Sequence, residues 1–165
     1  MNAKYLVLGV AFDWGIRKGL DVFLWLAENL PKEYKIVLVG TNDTIDKQLT
    51  DSIVSIHRTN NQEELAAIYS AADVFVNPTR EDNFPTTNIE ALACGTPVIT
   101  FNTGGSAEML SSQCGAAVEC EDFENLKKEI IRICVEKPYN RDDCRMQAKR
   151  YDMSRCFEQY LELYG

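Results

Sequence analysis

The strongest constraint on this chain is an alternation that runs almost from end to end: short runs of β-branched and aliphatic residues separated by longer stretches whose apolar residues recur at helical spacing. A strand buried on both faces needs helices to cover it, so this pattern favours βαβ units and a mainly parallel sheet. Strands are expected over residues 5–10, 35–40, 53–57, 74–77, 98–101 and, more weakly, 115–118. Leu20, Phe23, Leu24, Ala27 and Leu30 place one apolar face on a helix over 18–30 that Pro31 closes. A short helix over 44–49, a helix over 65–72 and an amphipathic helix over 123–135 complete the repeats. Asn61 reads as a helix N-cap with Glu64 three residues on, the pairing of a capping box. Pro85 suits a first helical turn, where its fixed φ and missing N–H cost nothing, and the helix it opens runs to Cys94 and stops at Gly95. The expected fold is a single α/β domain over 1–165, a parallel sheet of about six strands with helices on both faces.

The last part of that domain, 140–165, reads as a helical tail. From Asp152 onward, Met153, Cys156, Phe157, Tyr160, Leu161 and Tyr164 form a one-faced apolar stripe, which either docks on this domain's core or faces a further domain.

Composition narrows what such a domain can hold. Lys and Arg number 17 against 25 Asp and Glu, a formal charge of -8, so its overall field is the wrong sign for nucleic acid or an anionic membrane surface. Any phosphate must be gripped locally. No stretch approaches the roughly 20 apolar residues of a membrane span, and a cytoplasmic location is expected. The cysteines, Cys94, Cys114, Cys120, Cys134, Cys144 and Cys156, never form a C-x-x-C pair and read as reduced, small apolar side chains. His57 is the only histidine, which excludes a multi-histidine metal centre and any mechanism needing two imidazoles from this chain. There is no P-loop, no G-x-G-x-x-G after the first strand and no G-x-S-x-G elbow, which disfavours nucleotide hydrolysis on a P-loop, nicotinamide chemistry and α/β-hydrolase chemistry.

In a doubly wound sheet, ligands bind beyond the carboxyl ends of the strands where the winding reverses, here the first and fourth. The loops leaving those strands, 11–17 and 79–84, are the most chemically loaded in the chain. The second opens a helix whose first amides, on Thr86, Thr87 and Asn88, form a positive pole for an anion. Glu90 falls three and four residues beyond Thr87 and Thr86. It is either a ribose-hydroxyl acceptor one turn along that face or simply a favourable early-helix carboxylate. Arg17 and Lys18 form a cationic pair suited to a diphosphate.

These residues resemble a known family. The run EDNFPTTNIEALACGTPVITFNTGGSAEML at 81–110 is similar to the signature of the group 1 (family 4) retaining glycosyltransferases, in the Rossmann-like, nucleotide-sugar-binding C-terminal domain of their GT-B fold. RKGL at 17–20, IVLVG at 36–40, ELAAIYSAADVFVNPT at 64–79 and the terminal YLELY extend the resemblance over essentially the whole chain. The resemblance implies that Asp82 and Glu90, separated by seven residues, stand for the family's acidic pair: Asp82 contacting the transferred sugar as the catalytic-site carboxylate, Glu90 holding the ribose. Asp82 replaces the more usual Glu. Lys18 matches the phosphate-binding lysine. Thr86, Thr87 and Asn88 match the amides that meet the donor diphosphate. The loop at His57 and Arg58 matches the region that reads the base, so His57 is not assigned a catalytic role. The family's arginine after the first strand is Val10 here, and Arg17 is the candidate substitute.

The resemblance further implies a UDP- or GDP-linked sugar donor, no metal or other cofactor, and transfer with retention to a saccharide or lipid-linked acceptor in polysaccharide or glycoconjugate assembly. The acceptor site would lie on a separate N-terminal domain, through which the protein could sit at the inner face of the membrane. This chain is then expected to transfer sugar inefficiently alone. A nucleotide-sugar epimerase of the same fold and a non-catalytic nucleotide-sugar-binding module are the competing readings.

Overall fold

The computed structural model describes residues 3–82 and 85–151. Six strands, β1 (Tyr5–Val10), β2 (Tyr34–Val39), β3 (Ile53–Ile56), β4 (Val74–Asn77), β5 (Val98–Phe101) and β6 (Gly115–Val118), form one sheet in the order β3-β2-β1-β4-β5-β6. Every pairing is parallel. The helices are α1 (Leu20–Asn29), α2 (Asp43–Asp46), α3 (Gln62–Ala71), α4 (Thr86–Ala93), α5 (Phe123–Glu136) and α6 (Arg141–Ala148), with a short 3-10 turn at Ala107–Met109. This is the α/β sheet the alternation predicts, wound outward from β1 to β3 and then restarted at β4 on the other side of β1.

Successive residues of a strand point to opposite faces, and the core divides accordingly. Val7, Ile36, Leu38, Val74, Val76, Ile99 and Phe101 face one layer, where they meet Phe23 and Leu26 of α1 and Leu126, Ile130 and Cys134 of α5. Leu8, Val10, Val37, Phe75 and Val98 face the other, against Leu65 and Tyr69 of α3, Ile89 and Leu92 of α4 and Cys144 of α6. Both faces are covered, which is why the strands read as near-continuous apolar runs. Cys94, Cys114, Cys134 and Cys144 are buried and unpaired, and burial pushes the thiols of Cys134 and Cys144 up to about 12. They pack as small apolar groups. No helix among the described residues is long and apolar enough to cross a membrane.

The helix starts differ from the periodicity in informative ways. The first begins at Leu20 rather than residue 18, because Gly19 is left-handed (φ 84°) and a Cβ there would lie 2.5 Å from the Pro78 carbonyl oxygen. Gly19 therefore lets the loop after β1 press directly onto the end of β4. Pro85 lies just before α4, with an extended ψ of 106°, rather than inside its first turn. The Asn61 cap is present, its Oδ1 accepting the Glu64 N–H at 2.8 Å, while the Glu64 carboxylate accepts from Asn60 instead of Asn61. Helix α6 packs against α4, and Gln147 Nε2 donates to the Met109 carbonyl at 2.9 Å. The apolar stripe predicted from residue 152 onward lies outside the described residues.

Candidate functional site

The carboxyl ends of β1 and β4 open into a solvent-facing cleft. Val10 and Ala11 form its wall on the β1 side, Asn77 on the β4 side, and Thr86 and Thr87 at the start of α4. Two charged side chains meet inside it: Lys18 Nζ donates to Asp82 Oδ2 at 3.0 Å, with side chains only 20% and 17% exposed. A partly screened pair of this kind is held more firmly than a surface ion pair, and it puts both signs of charge at one point of the cleft.

The backbone that presents this pair is fixed by dedicated polar contacts. Arg80 N–H donates to the Arg17 carbonyl at 2.8 Å, which sets the segment carrying Asp82 beside the one carrying Lys18. Thr103 Oγ1 donates to the Thr79 carbonyl at 2.7 Å, and Gly105 N–H to the Asp82 carbonyl at 3.2 Å, so the loop after β5 braces the same segment from behind.

The helix pole is narrower than three amides. Thr86 and Thr87 sit in the first turn of α4, where their N–H groups have no intrahelical carbonyl to reach, and among the described residues no side chain caps this helix. The Asn88 N–H instead donates to the Pro85 carbonyl at 3.1 Å. Its side chain is buried, Oδ1 accepting from Asn77 Nδ2 at 2.9 Å and Nδ2 donating to the Ser106 carbonyl at 3.4 Å. Asn88 thus joins α4 to the end of β4 and stands behind the cleft.

Glu90 lies on the side of α4 that faces α3. Fully buried Tyr69 donates its hydroxyl to Glu90 Oε2 at 2.9 Å. Burial raises the Glu90 carboxyl above the ordinary range, and the Tyr69 hydrogen bond offsets part of that rise. Among the described residues, Glu90 does not line the cleft that Thr86 and Thr87 line.

The two arginines stand further out. Arg17 is exposed at the rim, its guanidinium 2.5 Å from Asp13 Oδ2 and donating to the Glu81 carbonyl at 3.3 Å. Arg58 is exposed beyond β3, two strands away from β1. His57, next to it, pairs with Asp46 at 2.6 Å and lies 3.9 Å from Asp43. These three bring ligand-type atoms within 4.8 Å of one another, an exposed cluster at the β2–β3 corner rather than in the cleft. Lys18, Asp82, Thr86 and Thr87 are therefore the residues that the structure brings together.

Arg80 carries no local signal in the sequence. Its guanidinium holds Asp21 through two hydrogen bonds of 2.7 and 2.9 Å and also engages Glu121 and the Ile16 carbonyl. Its partners are 41 to 64 residues away along the chain, so only the fold reveals the group. The arginine holds both carboxyls, Asp21 and Glu121, below their ordinary values.

With this geometry in view, likeness to known proteins is informative. The profile of the family described as "Glycosyl transferases group 1" matches residues 4–135. A Campylobacter jejuni protein, N,N'-diacetylbacillosaminyl-diphospho-undecaprenol alpha-1,3-N-acetylgalactosaminyltransferase, is 23% identical over 172 residues, covering 99% of this chain and 45% of its own length. Sucrose-phosphate synthase from Thermosynechococcus elongatus superposes with a TM-score of 0.78 at 24% identity, over 97% of this chain and 45% of that one. Anabaena HepE in complex with UDP-glucose gives 0.74 at 18% identity, over 97% and 48%. The structural likenesses establish the fold. The chain spans less than half the length of the curated relatives it matches.

Proposed function

The chain belongs to the group 1 glycosyl transferases, and from that premise we propose that it is the domain that binds a nucleotide-diphospho-sugar, donor for transfer to a saccharide or lipid-linked acceptor in glycoconjugate assembly. The observation that carries this reading is the Lys18–Asp82 pair 3.0 Å apart in a cleft walled by the first turn of α4. A diphosphate entering the cleft meets, among the described residues, the Lys18 ammonium and the amides of Thr86 and Thr87, donors suited to it. Lys18 then exchanges Asp82 for phosphate oxygen, and the released carboxylate becomes free to accept hydrogen bonds from sugar hydroxyls. Those same donors stabilise the charge that grows on the diphosphate as the sugar–phosphate bond breaks, with no metal ion in the scheme. Glu90, already bonded to Tyr69 on one oxygen, is the ribose acceptor in this scheme, at the flank of the cleft.

A bound UDP-glucose in a protein of the same fold supports a nucleotide sugar as the ligand class. Retention of configuration, and an acceptor site on a domain outside this chain, follow from the same reading. Calorimetric titration with UDP, GDP, ADP and CMP tests it. One nucleoside diphosphate is expected to bind, with CMP weaker for lack of the second phosphate, and Asp82→Asn is expected to leave binding intact or tighten it by freeing Lys18. Binding of none of them at millimolar concentration contradicts the proposal.

A further inference from the structure

We propose that Arg80 is a positioning residue for the donor site, a side chain that never enters the cleft yet sets where Lys18 stands relative to Asp82 and the amides of α4. The inference rests on the donor-binding reading of that cleft.

The geometry is unusual for an arginine near the surface, because every part of the guanidinium is used and its partners lie on two separate segments of the chain, 16–21 and the turn at Glu121. Nη1 and Nη2 grip Asp21, in the first turn of α1, at 2.7 and 2.9 Å. Nη1 also donates to the Ile16 carbonyl at 2.6 Å, in the loop that follows β1. Nε and Nη2 engage the Glu121 carboxylate, the latter at 3.1 Å, from the turn between β6 and α5. Glu121 itself adopts φ 74°, a left-handed conformation that costs a non-glycine residue energy and that its ion pair helps to hold. The main chain of Arg80 adds a fourth link, its N–H donating to the Arg17 carbonyl.

Lys18 lies between the anchor points Ile16, Arg17 and Asp21 on one segment, and Asp82 lies two residues beyond Arg80 on the other. The arginine therefore fixes both ends of the Lys18–Asp82 distance at once, through a planar fork that only one orientation satisfies. The Arg80 side chain is 18% exposed, so water screens these bonds only in part. A lysine at this position keeps the charge and loses the fork. Binding geometry of this kind is sensitive, since displacement of a ligand group by about 1 Å can cost on the order of a hundredfold in function.

The test uses the 165-residue chain and compares affinity for UDP or GDP, whichever binds, with affinity for the corresponding nucleoside, in wild type, Arg80→Ala, Arg80→Lys, Asp21→Asn and Glu121→Gln. Arg80→Ala is expected to weaken the nucleoside diphosphate by about tenfold or more while leaving the nucleoside unchanged. Arg80→Lys is expected to recover only a small part, and Asp21→Asn to reproduce part of the loss although Asp21 lies outside the cleft. Equal diphosphate affinity in all the variants overturns the inference and leaves the donor reading standing. So does equal loss for nucleoside and diphosphate, which marks general damage. Should Arg80→Ala fail to fold, Asp21→Asn and Glu121→Gln decide alone: unchanged diphosphate affinity in both overturns the inference. A wild-type chain that binds no nucleoside diphosphate removes the donor reading itself, and this inference with it.

Discussion

Two corners of the same sheet edge each hold a base against a carboxylate, and they differ in how far solvent reaches them. At the β1–β4 cleft, Lys18 and Asp82 are four-fifths buried, and contacts from Arg80, Thr103 and Gly105 brace the backbone that carries them. At the β2–β3 corner, His57 meets Asp46 with side chains 46% and 36% exposed, and Asp43 beside them is 95% exposed. The chemistry of the pairs is similar. Both corners carry polar networks, since Ser55 donates to Asp46 and also meets buried Thr41; the difference is exposure, because the His57–Asp46 pair itself lies open to solvent, where an ion pair contributes little.

The largest expected effect sits where the cleft is built. Gly19→Ala places a Cβ 2.5 Å from the Pro78 carbonyl oxygen at a left-handed residue, and is expected to lower unfolding stability by about 2 to 4 kcal/mol, read from urea midpoints. An equivalent loss from His57→Gln would break the comparison, because it would make the outer corner as structural as the cleft.

Next is Lys18→Ala, expected to weaken nucleoside diphosphate binding by about ten- to a hundredfold, the scale of a charged hydrogen bond, and to lower the urea midpoint as well, because Asp82 is left largely buried without its partner. Smaller again is Glu90. Since its carboxyl is raised mainly by burial, affinity for a ribose-bearing ligand is expected to grow as pH rises through that raised value and then to level off. Glu90→Gln is expected to cost about 1 to 3 kcal/mol of binding and to remove the pH dependence. Affinity that is flat with pH in the wild type would separate Glu90 from the ribose.

The smallest effect sharpens the contrast by its sign. His57 is raised above its ordinary value, chiefly by its hydrogen bond to Asp46. Its contribution to stability is therefore fully present below about pH 6.5 and is lost as pH rises through the raised value. Asp21 and Glu121 are lowered, first by hydrogen bonds to Arg80. Their contribution is present above the ordinary carboxylate range and is lost only as pH falls through the lowered values. Between pH 6 and pH 9, urea midpoints of wild type and His57→Gln are expected to converge, while the difference between wild type and Asp21→Asn stays constant.

The parts of the molecule that could be read from sequence are those governed by local periodicity. Six strands, the placement of α3 and α5, and the switch point between β1 and β4 follow from apolar spacing and caps, which act over a few residues. Helix α1 begins two residues late because Gly19 answers to Pro78, a neighbour in space and not in sequence. The site was legible in the same measure. The loops and the family resemblance point to Lys18 and Asp82, but not to their direct pairing. Position in the first turn makes Asn88 look like an open amide, yet its N–H is taken by Pro85 and its side chain by Asn77 and Ser106. Tyr69 as the partner of Glu90, and Arg80 as the link among three loops, depend on long-range packing that no spacing encodes.

If the donor reading holds, one crevice, between the ends of β1 and β4, grips the diphosphate of a nucleotide. Amide chemical shifts of labelled protein, followed during titration with UDP and GDP, test it most directly. Saturable changes are expected at Lys18, Thr86, Thr87 and Glu90 for one of the two nucleotides, with Asn88 moving less than Thr86 and Thr87 because its N–H is already bonded. Shifts centred on the His57 corner with none at Thr86 and Thr87, or no saturable change with either nucleotide, would contradict it.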